Sequence, residues 1–309
     1  MHIPVLAEET VRALTEGREG GWWLDATVGA GGHASMVLEA TGGESRLLGL
    51  DQDGRALEAA GERLAGYGDR VRLVRANFRE MAAVAAAEGI GAFRGILMDL
   101  GVSSMQLDEG ERGFSFRVEA PLDMRMDRRG GRTAREVLEE EGEAELARIF
   151  KEWGEEPAAR RVARAIVEAR AAGRLPETTT GLAELVERAK GGRRGRIHSA
   201  TQVFQALRIA VNDELGAREA ALPAALGLLE KGGRMGVISF HSLEDRIAKR
   251  FFVAHEGRMV SLMGGGERWA GVEPRVRRIT RKPVTAGAEE EARNPRSRSA
   301  KLRVAERQD

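Results

Sequence analysis

Three aspartates and a run of glycines are the residues here whose types and spacing can do chemistry. Gly29-Ala-Gly31-Gly32 follows the short apolar run Trp22 to Ala26 and precedes a helical pattern that starts near His33. Glycine lets the backbone approach a ligand closely, and a helix start offers N–H groups that no carbonyl inside the helix uses. Asp51 lies 22 residues after Gly29, just beyond the apolar run Leu47 to Leu50. A carboxylate at that place can accept both ribose hydroxyls of an adenosine. Asp99 stands in a further run, Gly95 to Leu100, and Asp25 closes the first one. Singly, an ordinary tight turn or a helix-capping carboxylate explains each of them. Together, acids at three strand ends line one crevice, and ligands of open parallel sheets bind outside the carboxyl ends of the strands.

The elements that must position these residues alternate. Trp22 to Ala26, Leu47 to Leu50, Val71 to Val74 and Gly95 to Leu100 read as strands. Helices are expected from His33 to Thr41, from Arg55 to Leu64 with Ala56, Leu57, Ala60 and Leu64 on one face, and from Phe78 to Glu88. Strand, helix, strand is the pattern of a parallel sheet covered by helices. The next buried strand is Gly236 to Phe240. A crossover needs about 30 residues, so roughly 100 of those in between are surplus and suggest an inserted domain. That stretch reads as helical. Thr133-Ala-Arg-Glu136 and Ser199-Ala-Thr-Gln202 have the form of capping boxes. The acidic stretch Glu136 to Glu156 is expected to be a solvated helical face. Ser242 to Asp245 starts another helix, and Lys301 to Glu306 alternates like a final edge strand.

Composition narrows the classes. The 309 residues carry 49 Lys and Arg against 48 Asp and Glu, a net charge of +1. That balance argues against nucleic-acid binding by bulk charge, but hides unlike regions. Residues 275 to 309 hold 11 basic and 5 acidic residues, net +6, and the remainder 38 basic and 43 acidic, net −5. Cysteine is absent, so there is no thiolate chemistry, and the expected compartment is the reducing cytoplasm. Met1 to Glu9 does not read as a signal peptide, and no apolar run approaches the roughly 20 residues of a membrane span. No histidine spacing suits a metal, so none is expected.

Longer motifs carry a resemblance. His2-Ile-Pro4-Val-Leu6, Asp25 to His33, Met98 to Leu107, Pro121-Leu-Asp-Met-Arg-Met-Asp127, His198 to Leu215, Ser239 to Asp245 and Asn294 to Arg303 are similar to the bacterial 16S ribosomal RNA cytosine N4-methyltransferases. The resemblance implies an α/β protein: a Rossmann-like class I methyltransferase sheet, 1–106 and 213–309, with an inserted all-helical substrate-recognition domain, 107–212. It implies S-adenosylmethionine as cofactor and the exocyclic N4 of cytosine 1402 in the decoding region of 16S rRNA as substrate. The partner is that rRNA within the small ribosomal subunit, with no membrane and no metal; a homodimer is compatible with the sequence. By matching motifs, the cofactor is expected on Gly31, Gly32 and His33, on Asp51 at the ribose, on Phe78 beside the adenine, and on Asp99 and Gln106 near the methionine end. Phe78 and Gln106 come from the resemblance alone.

The implied reaction needs help with its nucleophile, since the N4 lone pair is delocalised into the ring. An acceptor on the amine frees that pair and takes a proton. Asp99 is the first candidate, and its rival role is to bind the cofactor's charged amino group. Ser103 and Ser104 are further catalytic candidates. In the helix from Ser199 to Leu215, Thr201, Gln205, Arg208 and Asn212 form a polar stripe. By itself it reads as a solvated face. With the resemblance it is expected to face the active-site cleft, Asn212 as a catalytic candidate and Arg208 on RNA. His198 and His241 each precede a serine at a helix start, which is capping geometry; His241, next to the last sheet strand, is also a candidate substrate contact. RNA phosphates are expected on Arg193, Arg194 and Arg196 in the insertion and on Arg296, Arg298 and Lys301 in the tail. Three other readings stand beside this one. A DNA amino-methyltransferase is disfavoured because Leu100-Gly-Val follows Asp99 in place of a Pro-Pro-aromatic motif. A non-catalytic RNA-binding factor would have no use for the intact glycine turn, and an NAD-dependent oxidoreductase explains that turn alone.

Overall fold

The computed structural model describes residues 4–101, 110–192, 198–261, 263–270 and 273–309. The chain divides into two compact units, residues 1–101 with 216–309, and residues 102–215. The second encompasses the 107–212 stretch that the sequence marks as inserted.

The first unit is built on a seven-stranded sheet. In chain order the strands are β1 (Gly21–Asp25), β2 (Ser45–Asp51), β3 (Val71–Arg75), β4 (Phe93–Asp99), β5 (Leu229–Ser239), β8 (Val276–Arg278) and β9 (Lys301–Arg307). Their order in space is β3-β2-β1-β4-β5-β9-β8, with β1 to β5 parallel and β9 antiparallel to both neighbours. The chain steps outward from β1 to β3 on one side, then outward from β4 on the other. The switch therefore falls between β1 and β4, the strands that end in Asp25 and Asp99. Parallel strands are covered on both faces and read as nearly continuous apolar runs. Leu47, Leu48 and Leu50 of β2 and Ile96, Leu97 and Met98 of β4 are all at most 3% exposed. A separate two-stranded antiparallel ribbon pairs β6 (Arg258–Ser261) with β7 (Glu267–Ala270).

The expectation for the last strand needs correction. Lys301 to Glu306 is no edge strand, because β9 lies between β5 and β8. Its alternation misleads: Arg303 is only 5% exposed, held by Asp245 at 2.6 and 3.0 Å, so both faces of the strand are covered. The true edge, β8, is three residues of which two are arginine, and so short a stretch has no period to read.

The second unit is helical: Ala134–Glu140, Glu143–Glu152, Ala159–Ala171, Thr179–Lys190 and Thr201–Asn212. Val137, Leu146, Phe150, Val162, Ile166, Leu182, Val203 and Leu207 meet in its core. Thr133 and Glu136 form the expected capping box. Ser199 does not. The helix begins at Thr201, and His198 instead accepts the Ala200 N–H through Nδ1 at 3.2 Å. The acidic stretch is solvated only in part: Glu145 and Glu152 pair with Arg148 at the surface, but Glu156 is 2% exposed and takes Lys190 Nζ at 2.6 Å.

Candidate active site

The three acids stand at the carboxyl ends of β1, β2 and β4. Asp25 is 3% exposed and accepts the Thr27 N–H at 3.2 Å. Asp51 accepts the N–H of Gly29 at 3.0 Å and of Asp53 at 2.9 Å, so it also ties the glycine turn to the end of β2. Asp99 is fixed through its own N–H, which donates to Thr27 Oγ1 at 2.7 Å. Burial, nearly complete for Asp25 and partial for Asp51 and Asp99, disfavours their charged forms. It pushes Asp99 up to about 8, with Asp25 and Glu244 adding repulsion. Asp25 rises to about 7, and Asp51 to about 6 against the pull of its backbone hydrogen bonds.

Asp99 has two unlike oxygens. Oδ2 lies 3.7 Å from His33 Nδ1. His33 Nε2 is 3.0 Å from the Val5 carbonyl oxygen, which can only accept, so Nε2 carries hydrogen and Nδ1 presents its lone pair to Asp99 whenever the ring is neutral. Oδ1 is buried and has no hydrogen-bond partner among the described residues. A buried acceptor left so costs about 1–3 kcal/mol, which a ligand's N–H can recover.

The glycine turn supplies the other wall. Gly31 has φ 76° and is the residue before the helix Gly32–Thr41. A side chain there is strained, and glycine is the residue that adopts this region freely. At Gly32 a Cβ would stand 2.6 Å from Pro4 Cγ, so the N-terminal segment packs against the bare backbone of the turn. Phe78 opens the turn after β3 and is partly buried against the sheet core. Gly31, Gly32, His33, Asp51, Phe78 and Asp99 thus all lie at or just beyond the carboxyl ends of β1 to β4. Ser103, Ser104, Gln106, Arg193, Arg194 and Arg196 lie outside the described residues.

The polar stripe of Thr201–Asn212 has work inside its own unit. Gln205 donates to the Trp153 carbonyl at 3.0 Å, and Arg208 grips Glu214 at 2.6 and 3.0 Å. Asn212 accepts from Met126 N and donates to Met124 O, both at 2.8 Å. Arg208 and Asn212 therefore hold protein groups in this structure. His241 precedes the helix Ser242–Glu256, its Nε2 lying 3.0 Å from Glu244 Oε1. In the tail, Arg298 is exposed and 3.6 Å from Glu291; Arg296 and Lys301 are half-buried. Many neighbouring arginines are engaged: Arg275 with Asp309, Arg277 with Glu306, Arg278 with Glu256 and Arg303 with Asp245.

Sequence reasoning missed the support beneath this site. Glu244 is fully buried, takes the N–H of Phe240 at 2.6 Å and of His241 at 3.2 Å, and pairs with the buried Arg218. The available signal was a lone arginine among alanines and leucines in the helix Glu214–Leu228. Thr27, which fixes Asp99, reads in the sequence only as part of a turn.

Acids that burial makes costly to ionise, an orphaned acceptor, and a glycine turn at a helix start suit a ligand that joins a nucleoside to cationic groups. A model of the MraW methylase family matches residues 1–308. The chain belongs to the MraW methylase family. Ribosomal RNA small subunit methyltransferase H of Heliobacterium modesticaldum is 50% identical over 309 residues, covering 99% of this chain and 98% of its own. The protein of the same name from Geobacter sulfurreducens is 50% identical over 308 residues, with 99% and 98% covered. Among solved structures, an rRNA methylase from Streptococcus thermophilus superposes with a TM-score of 0.42 at 10% identity, over 97% of this chain and 92% of that one. As an MraW-family methylase the chain is an S-adenosylmethionine-dependent methyltransferase, and its sheet is the Rossmann-like class I sheet. The orphaned Asp99 Oδ1 fits that cofactor.

Proposed function

We propose that this chain transfers a methyl group from S-adenosylmethionine to the exocyclic N4 of cytosine 1402 in the decoding region of 16S rRNA. Full-length identity of 50% to ribosomal RNA small subunit methyltransferases H carries the reading. That substrate puts its work in the bacterial cytoplasm. No helix among the described residues is long and apolar enough to cross a membrane, and no group of acids and histidines among them could hold a metal.

S-adenosylmethionine, when bound, supplies a methyl group already activated on sulfonium, so neither a metal nor a covalent enzyme intermediate is required. Gly31, Gly32 and His33 would hold it through backbone, Asp51 through the ribose hydroxyls, Phe78 beside the adenine, and Asp99 with Gln106 toward the methionine end. The rival role of Asp99, which excludes a firm hold on the cofactor's amino group, is that of the base. Its Oδ1 accepts an N–H of the cytosine amine, which holds the nitrogen lone pair out of conjugation. Methyl transfer would form the N–CH₃ bond as the cofactor's S–CH₃ bond breaks to leave a neutral thioether, and the amine proton would pass to the Asp99 carboxylate. Burial and the neighbouring acids Asp25 and Glu244 make the Asp99 carboxylate more basic than an exposed one in the ligand-free chain. His33 Nδ1 lies 3.7 Å from Oδ2, on the side of the carboxylate away from Oδ1 in this assignment. His241, Arg296, Arg298 and Lys301 are assigned to the RNA.

The test uses small subunits from a strain that lacks the modification. Incubation with methyl-labelled cofactor should label one cytosine, mapped by nuclease digestion and mass spectrometry. Label confined to DNA, or to no nucleic acid, overturns the assignment.

A further inference from the structure

The motif Pro121-Leu-Asp-Met-Arg-Met-Asp127 lies between Arg112 and the helix Ala134–Glu140. In the second unit it forms a loop that is held unusually firmly. Met124 has φ 61°, left-handed backbone for a bulky residue, and its side chain is fully buried. Strain of this kind persists only where surroundings over-determine it, and it clusters at functional positions. The Met124 side chain sits in the hydrophobic core of the unit, and two polar side chains hold the backbone. Asn212 clamps the backbone on either side of Arg125, through Met124 O and Met126 N. Arg112, 5% exposed, donates from Nη2 to the carbonyls of Arg125 and Met126, both at 3.0 Å. Its own carbonyl accepts the Met124 N–H at 3.0 Å.

What the clamp presents is a pair of guanidinium groups. Asp123, 7% exposed, binds Arg125 Nε at 2.6 Å and Nη2 at 3.2 Å, and lies 3.3 Å from Arg128 Nε. Both cations hold the Asp123 carboxyl below the usual carboxylate range, so it stays ionised. One carboxylate thus orients two cations and neutralises one of them. Arg128 remains 55% exposed and Arg125 22%. Orientation by a buried carboxylate, on a backbone that cannot relax, is how a protein prepares a bidentate grip on an oxyanion before it arrives.

We propose that Arg125 and Arg128 form a built site for a backbone phosphate of the substrate RNA, with Asp123, Asn212 and Arg112 as positioning residues. The assignment rests on the ribosomal RNA reading above. It also gives Asn212 a different duty from catalysis: the side chain holds the loop that holds the phosphate.

The test compares two charge-matched double variants of the full-length protein. Arg125→Gln/Arg128→Gln removes the site. Arg164→Gln/Arg188→Gln removes two arginines of the same unit that are 67% and 69% exposed, each 3.6 Å from one glutamate. Unmodified small subunits are the probe, and KM, kcat and cofactor affinity are measured at several salt concentrations. The first variant should raise KM about tenfold, as for the loss of a charge-assisted contact. It should lower the slope of log affinity against log salt by about 1, and leave kcat and cofactor affinity unchanged. The second should change KM less than twofold. Arg128→Gln alone, at the more exposed position, keeps the question open to decision if the double variant folds poorly. Equal losses in the two double variants mean bulk charge and overturn the site, as does an unchanged KM in Arg128→Gln. If the unaltered enzyme labels no small subunit, the underlying reading fails instead, which is a distinct result.

Discussion

Asp99 sits where two demands meet. Its Oδ1 needs a donor and its Oδ2 faces a histidine lone pair. Asparagine keeps the shape and loses the base, so Asp99→Asn should lower kcat by at least about 10²-fold, the usual contribution of a general base. Cofactor affinity, measured separately by calorimetry, should fall far less. Near-normal methylation by Asp99→Asn would remove Asp99 from the chemistry and leave it a binding residue. Glu244 poses a different question, because it touches the turn Phe240–His241 and the Arg218 guanidinium from a fully buried position. Removing one partner of a buried ion pair leaves a charge without compensation, which costs about 3–5 kcal/mol. Arg218→Ala should lose that much in urea unfolding. A loss below about 1 kcal/mol would mean that the pair is not what holds the end of β5.

The elements deliver these residues through their ends. Gly31 has φ 76° immediately before the helix Gly32–Thr41, and alanine there costs about 1–2 kcal/mol of backbone strain. Gly31→Ala should therefore lower both the unfolding midpoint and cofactor affinity. Unchanged affinity with a lowered midpoint would separate the turn from the ligand. The parallel strands and the acids that end them were readable because buried strands are apolar runs and a charged residue marks where burial stops. The capping box at Thr133 was readable for the same local reason. What escaped depends on neighbours distant in sequence. Ser199 has the form of a cap, but His198 takes the Ala200 N–H and the helix starts later. β9 looks like an edge until β8 covers it, and Arg303 looks solvent-facing until Asp245 meets it. Asn212 belongs to a polar stripe whose spacing is the same whether it faces water, substrate or the 124–126 backbone.

At the scale of the whole molecule the acids set a dependence on pH. In the folded, ligand-free chain Asp51, Asp25 and Asp99 titrate near 6, 7 and 8, all raised by burial. Unfolded, they return to ordinary carboxylate values near 4. Between those limits the folded state binds more protons than the unfolded one, so stability must fall as pH rises. The contribution of each acid is complete below its unfolded value and is lost as pH climbs through its folded value. Cationic groups of S-adenosylmethionine, bound beside these acids as proposed, would reverse the balance by favouring the ionised acids and displacing their protons. The ligand-free enzyme should lose stability to urea between pH 5.5 and 8.5, and saturating cofactor should flatten that decline. Cofactor affinity should rise over pH 6 to 8 and level off above it, with protons released on binding. Calorimetry in buffers of different ionisation enthalpy counts those protons, and Asp99→Asn should release fewer. Affinity that is flat across this range, with no proton release, would mean that the strand-end acids do not face the cofactor's charge. The crevice they line would then need another ligand.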